Sequence, residues 1–244
     1  MEDKLFAILG DVHANLDALN VVLADCKEQG VTDYLCTGDV VGYNACPHEC
    51  LSLIRSLNCP IVMGNHDHYV SSRQNLSDFN PHAAAVIEWT RKQLSVEEMY
   101  FLRALPFATV KMGITLVHST MDNPEGFGYV FDHLQAAANF TNQVTPICFH
   151  GHTHCPVIFE KQISEIYRID AQDFKIPIGR KYFINVGSVG QPRDGDPRAA
   201  YVLYDPKSRI VRFRRLEYDV AAAQSRIRAA GLPERLAERL ACGQ

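Results

Sequence analysis

The segment LFAILGDVHANLDALNVVL, residues 5–23, decides how the chain folds. Leu5 to Leu9 is an unbroken apolar run that Gly10-Asp11 stops, the pattern of a short strand buried on both faces. Asn15 can cap a helix on which Leu16, Leu19, Val22 and Leu23 form one apolar stripe, ending near Gly30. The same succession repeats downstream. Tyr34-Leu35-Cys36 stops at Gly38-Asp39, and Pro47 opens a helix with Leu51, Ile54 and Leu57 on one face. Ile61-Val62-Met63 reads as a third strand stopped by Gly64. This βαβαβ order predicts an α/β fold with a largely parallel sheet flanked by helices.

Beyond it, Asn80-Pro81 starts a helix running through Ile87 and Trp89, with Trp89 expected in the core, and Ser95 with Glu98 makes a capping box for the next. After Pro106 the texture changes to short strands: Phe107 to Lys111, Ile114 to His118, Ile147 to Phe149, Val157 to Glu160 and Ile166 to Ile169. Tyr182 to Val186, Ala200 to Tyr204 and Ile210 to Leu216 complete the series, and Asp219 caps a C-terminal helix. In the last strand Val211 and Phe213 alternate with Arg212 and Arg214, as on an edge strand with one solvated face. No repeat or linker interrupts the 244 residues, so one domain over 1–244 is expected, with two sheets or one large mixed sheet.

Composition narrows the class. Apolar residues make up 47% and charged residues 21%, enough for a core without disulfides or a structural metal. A net charge of −4 speaks against a broad basic surface for nucleic acid or anionic membrane. The acids before the first apolar run, and its shortness, argue against a signal peptide, and nothing approaches the roughly 18 apolar residues of a membrane span. A cytoplasmic location is expected. The eight cysteines contain no C-x-x-C pair and read as reduced, mostly buried thiols, although Cys46 and Cys50 could face the same way on a helix.

The chemistry-bearing residues sit where strands end. Asp11 and His13 follow the first, Asp39 the second and Asn65-His66-Asp67 the third, while His118 ends a fourth and His150-Gly151-His152-Thr153-His154 follows a fifth. Strand carboxyl ends converge on one rim in such sheets, so these residues predict a shared site. On an extended segment Asp11 and His13 would point the same way, as would His152 and His154. Imidazole and carboxylate donors without cysteine suit manganese, iron, zinc, cobalt or nickel, with manganese foremost. Seven candidate ligands, Asn65 among them, exceed the needs of one tetrahedral ion. Two divalent ions sharing a bridging Asp would use them all, and a pair roughly 3.5–4 Å apart can bind a phosphoryl oxygen and generate hydroxide at neutral pH.

The ordered set Gly10-Asp11-Val12-His13, Gly38-Asp39, Gly64-Asn65-His66-Asp67, Val117-His118 and Gly151-His152-Thr153-His154 resembles the calcineurin-like metallophosphoesterase superfamily. Gly38 to Tyr43 and Asn185 to Asp194 look like its compact bacterial and archaeal phosphodiesterase branch, which is related to diadenosine tetraphosphatases. The resemblance spans nearly the whole chain and implies a four-layer α/β/β/α sandwich with two mixed sheets. It implies one metal on Asp11, His13, Asp39 and His154, and a second on Asp39, Asn65, His118 and His152, with Asp39 bridging. His66 would then meet the phosphate as charge stabiliser or general acid, with Asp67 orienting it. Ala14 and Ser119 stand where relatives often carry Gly, which bears on substrate rather than on the ligand set.

Arg193 is a candidate phosphate clamp whose competing role is an ion pair with Asp194 or Asp196. Tyr43 and Asn44 are candidates for the pocket wall, and His68 and His150 for packing beside it. The expected activity is hydrolysis of a small phosphate ester or nucleotide. A protein serine/threonine phosphatase and a non-catalytic metal-binding scaffold for a protein partner are the alternatives. Nothing in the sequence indicates an oligomer.

Overall fold

The computed structural model describes residues 4–72, 74, 76 and 81–244. Asn80, expected to cap a helix, lies outside them. The first strand, β1 (Phe6–Leu9), leads into α1 (Leu16–Glu28), where the Asn15 side chain accepts from the Ala18 amide as a capping Asn should. β2 (Asp33–Cys36) and α2 (Pro47–Ser56) repeat the unit, with proline at the helix start. The third expected strand shrinks to one parallel bridge between Ile61 and Cys36. Pro60 has no N–H to offer a ladder, and the chain turns at Gly64 into α3 (Asn65–Ser71), so only one rung forms.

After α4 (Pro81–Gln93) comes α5 (Val96–Arg103), where Ser95 and Glu98 form the expected capping box. β3 (Ala108–Lys111) then pairs antiparallel with β4 (Ile114–Val117), and β5 (Ile147–His150), reached through α6 (His133–Asn142), pairs parallel with β4. β6 (Val157–Gln162), β7 (Glu165–Asp170), the two-residue β8 (Phe174–Lys175) and β9 (Lys181–Asn185) precede β10 (Ala199–Asp205) and β11 (Ile210–Leu216). The C-terminal segment holds two helices rather than one, α7 (Val220–Ala229) and α8 (Glu234–Cys242), because Gly231 and Pro233 break the run.

The strands assemble into two mixed sheets, β2-β1-β10-β11-β8 and β3-β4-β5-β9-β6-β7. Side-chain alternation then builds the layers. Phe6, Ile8, Leu35 and Val202 of the first sheet meet Leu116, Ile147, Phe149 and Ile184 of the second in one buried cluster. Ala7, Leu9, Cys36 and Tyr201 point the other way, onto Leu19, Val22 and Leu51 of α1 and α2. Val117, Cys148, Phe159 and Phe183 face Ala136 and Phe140 of α6. This is the four-layer α/β/β/α sandwich, and it explains why the strands read as continuously apolar: both faces are covered. Trp89, half-buried against α7 and α8, joins a peripheral cluster.

The arginine-rich β11 is less open than its alternation implies. Arg214 reaches α1, where its guanidinium donates twice to Asp25 (3.0 and 2.7 Å) and Tyr201 donates to the same carboxylate. All eight cysteines are free, five of them buried. No described helix is long and apolar enough to cross a membrane.

Candidate metal centre

Every expected strand-end residue arrives at one rim, but not by the expected route. Asp11, His13, Asp39, His152 and His154 all have left-handed backbone, with φ between 47° and 68°. Their convergence therefore comes from tight turns and not from two-residue alternation along an extended segment. Non-glycine residues adopt this conformation at a cost of about 1 kcal/mol or more each, which surrounding contacts must offset. Those contacts are visible. The Asp11 amide donates to Gly38 C=O, and the His13 and Ala14 amides donate to Asp39 and Val40 C=O. Ser188 Oγ donates to Asp11 C=O, and Asn185 Nδ2 donates to Gly151 C=O and Thr153 Oγ1. The Asn185 to Gln191 segment is thus the brace that holds the Asp11 and His152 loops together.

Two donor groups result, both buried. One contains Asp11, His13, Asp39 and His154; the other contains Asp39, His118 and His152, the ligand atoms of each lying within 4.8 Å of one another. Asn65 Oδ1 joins the second, 3.1 Å from His118 Nε2. Asp39 is common to both: its Oδ2 is 3.5 Å from His13 Nε2 and 3.4 Å from His118 Nε2.

Neighbours that can only accept fix the tautomers. His13 Nδ1 lies 3.2 Å from Val41 C=O, His118 Nδ1 lies 2.8 Å from Thr37 C=O, and His154 Nδ1 contacts Gln191 C=O. Each Nδ1 must carry the hydrogen, so in the neutral ring each Nε2 presents a lone pair inward. For His118 burial lowers the pKa but the Asp39 carboxylate raises it to about 9, so that ring gives up a proton when a cation takes its place. His13 Nε2 and His154 Nε2 then face each other at 3.0 Å. Lone pair against lone pair is repulsive, and a cation between them reverses the sign. Asp39 Oδ2 and His152 Nε2 have no hydrogen-bond partner among the described residues although both are buried, which points the same way. Burial also holds His13 and His154 well below the usual imidazole range and takes His152 down to about 3, so all three favour the neutral form that ligates. The donors fit divalent ions.

His66 is buried on α3, its amide donating to Asp39 Oδ1 (2.8 Å). The expected Asp67 contact is not made. Asp67 instead accepts from the Val40, Val41 and Gly64 amides (3.0, 3.2 and 3.2 Å), because three backbone donors lie nearer than the imidazole. His66 Nδ1 has no partner among the described residues. The ring is held by shape: Tyr43 packs at 4.2 Å between centroids, and a Cβ on Gly42 would come within 2.4 Å of Nδ1. Gly42, at φ 93°, is also one of the positions where only glycine is free of strain. The Gly38 to Tyr43 segment carried that signal in the sequence.

Arg193 is half-buried and pairs with neither expected acid. Asp194 pairs with Arg215, and Asp196 pairs with Arg198. Among the described residues its guanidinium donates only to Gln191 Oε1, and it lies 5.4 Å from the Tyr43 ring centre. Asn44 Nδ2 donates to His13 C=O (2.8 Å), a bracing role and not a pocket contact. His150 stacks on Phe183 at 3.9 Å, and His68 packs among Tyr69, Phe107 and Phe127. Two aromatic residues the sequence did not single out also border the centre: Tyr129 stacks on His152 at 4.2 Å, and Phe127 lies 6.1 Å from His118.

Comparison with known proteins agrees with this geometry. Residues 5–209 match the model of the calcineurin-like phosphoesterase superfamily domain. The chain is 40% identical to a metallophosphoesterase of Sphaerobacter thermophilus, whose crystal structure superposes with a TM-score of 0.88 over 100% of both chains. It is 38% identical to an uncharacterized protein of Methanocaldococcus jannaschii, again over 100% of both. A shorter match, 32% identical over 37% of this chain and 38% of the other, is to a symmetrical bis(5'-nucleosyl)-tetraphosphatase of Sodalis glossinidius.

Proposed function

The chain belongs to the calcineurin-like phosphoesterase superfamily, a family of metal-dependent hydrolases, and from that premise we propose that it cleaves small phosphate esters at a binuclear centre bridged by Asp39. One observation carries the reading: ring nitrogens of His13 and His154 face each other at 3.0 Å beside an unpartnered Asp39 Oδ2. Asp11, His13, Asp39 and His154 would hold one ion, and Asp39, Asn65, His118 and His152 the other. Bound there, two ions supply Lewis acidity for a phosphoryl oxygen and ionisation of a water at neutral pH. The all-N/O donor set suits manganese, iron, zinc, cobalt or nickel alike, and manganese is the ion proposed.

The remaining work falls to the chain. His66 lies beside His13, ring centroids 4.9 Å apart, with Nδ1 closed off against Gly42. That leaves Nε2 to donate a hydrogen bond to the phosphoryl group or a proton to the departing oxygen. Arg193, without a carboxylate partner, clamps a phosphate oxygen pair. Asp67 supports the site through the Val40–Val41 turn that carries Asp39 and Gly42. The eight free thiols suit a reducing cytoplasm.

The test is hydrolysis of p-nitrophenyl phosphate and its bis-ester by protein stripped with a chelator and then reloaded with manganese. Activity should vanish on stripping and return on loading, with metal analysis giving two ions per chain. Metal-loaded protein inert toward both esters overturns the proposal.

A further inference from the structure

Tyr43 also borders a recess of about 260 Å³ between α4 and α8, with Val86 and Leu236 as its other walls and Arg235 and Arg239 on its rim. Its size suits one end of a ligand and not a whole one. Tyr43 is common to this recess and to the metal centre. One set of contacts takes it to His13 and His66 (4.6 and 4.2 Å) and to Arg193 (5.4 Å), and the recess places it beside Arg235 and Arg239.

Three guanidinium groups therefore gather about one aromatic ring, and none pairs with an Asp or Glu side chain among the described residues. Of the acids nearest in sequence, Glu234 pairs with Arg228, Asp194 with Arg215 and Asp196 with Arg198, while Glu238 is exposed and pairs with none of the three arginines among the described residues. Arg239 Nε donates to the Gln244 main-chain oxygen, which leaves its terminal amines available. Arg235 and Arg239 are four residues apart on α8, so their like charges share one helix face, an arrangement that destabilises a helix with nothing between them. Burial and the charges of Arg193 and Arg235 hold the Arg239 guanidinium below its ordinary range, as expected of a half-buried cation crowded by like charges.

We propose that Arg235 and Arg239, together with Arg193, form a second anion subsite joined to the metal centre through Tyr43, which binds a further phosphate of the substrate. This rests on the phosphoesterase reading above and deepens it: the substrates are then esters carrying a phosphate beyond the one attacked, such as diphosphates or phosphoanhydride-linked nucleotides, in preference to simple monoesters. Arg193 lies over the Tyr43 ring that the recess shares with the metal centre, between the two phosphates, while α8 reads the second. The apolar walls contributed by Val86 and Leu236 exclude water from one side of the pair and strengthen the charge-assisted hydrogen bonds.

The test uses manganese-loaded full-length protein and two probes, inorganic pyrophosphate and orthophosphate, titrated by calorimetry at one fixed metal concentration so that chelation is common to all variants. Wild type should prefer pyrophosphate, and that preference should fall about tenfold in Arg239→Gln and by a smaller factor in Arg235→Gln, as expected for losing a charged hydrogen-bond donor. In parallel, the ratio of kcat/KM for adenosine 5'-diphosphate to that for p-nitrophenyl phosphate should fall by a similar factor. Arg235 is exposed, so its variant carries the test if Arg239→Gln lowers the melting temperature enough to disturb folding. No pyrophosphate preference in wild type, or the same preference in both variants, overturns the subsite. Absence of hydrolysis with the calorimetric pattern intact would instead sink the phosphoesterase reading and leave the anion subsite standing.

Discussion

Asp25 and Asp39 are buried carboxylates beside the same sheet, and they are treated in opposite ways. Asp25, on α1, accepts twice from Arg214 and once from Tyr201, so its charge is met inside the protein. Asp39 accepts from the His66 amide through Oδ1, while Oδ2 has no donor and faces His13 and His118. A fold that satisfies one buried carboxylate with donors from Arg214, Tyr201 and Gln29 has the means to satisfy another. Leaving Oδ2 open beside inward-facing imidazole lone pairs is the mark of a group arranged for a cation, because a buried oxygen with neither donor nor ion costs on the order of 1–3 kcal/mol. The backbone differs in the same sense. Asp25 sits in a regular helix, whereas Asp39 and four other donors lie in left-handed turns.

The contrast can be broken most directly at Asp39. Asp39→Asn should lower kcat/KM on p-nitrophenyl phosphate by on the order of 10³-fold or more through loss of the bridging charge. The melting temperature of the metal-free protein should fall less than in an Asp25 variant, since Oδ2 accepts no hydrogen bond among the described residues. If metal-free Asp39→Asn melts as low as an Asp25 variant, the distinction between the two carboxylates is gone. His66→Ala should cost about 10²-fold in kcat with metal content unchanged, as measured by turnover alongside elemental analysis. A drop in bound metal would make His66 a ligand instead.

Asp25→Asn should show the converse, a loss of about 2 kcal/mol in urea unfolding with turnover retained. It also fixes a pH signature. Burial alone would raise the Asp25 carboxyl, yet the Arg214 and Tyr201 hydrogen bonds hold it below its ordinary value of 3.8. A carboxylate depressed in the folded state adds stability that is fully present above the unfolded value and fades as pH falls through the folded one. The difference in unfolding free energy between wild type and Asp25→Asn should therefore be flat above about pH 5 and shrink below pH 4. A difference that grows on acidification would reverse the assignment.

How much of the site is legible in the sequence depends on how local each signal is. Apolar runs stopped by Gly-Asp, Asn-His-Asp or Gly-His-Thr-His are local, so the strand ends and their donors can be read directly. The third strand cannot, because its length depends on whether Pro60 and Gly64 leave room for a ladder against Cys36. The α7–α8 break is a local signal too, carried by Gly231 and Pro233, which outweigh the single helix that the Asp219 cap suggests. Asp67 is the harder case. Its position beside His66 suggests a contact, and three amides contributed by Val40, Val41 and Gly64 outcompete the imidazole for it.

By itself the sequence determined the order of strands and helices and the donor types at the strand ends, while the sandwich was implied by the family resemblance those motifs carry. Strand burial on two faces and the donor types at strand ends are properties of short segments, readable without knowing their neighbours. Only the tertiary structure decided which polar groups are spoken for. It gave Asp194 and Asp196 to other arginines, left Arg193 open, turned Asp39 Oδ2 toward two histidines, and carried Arg239 from the end of the chain to the ring of Tyr43. The reason is physical: partner choice is a competition among groups tens to hundreds of residues apart, and its outcome depends on distance and burial, which exist only once the chain has folded.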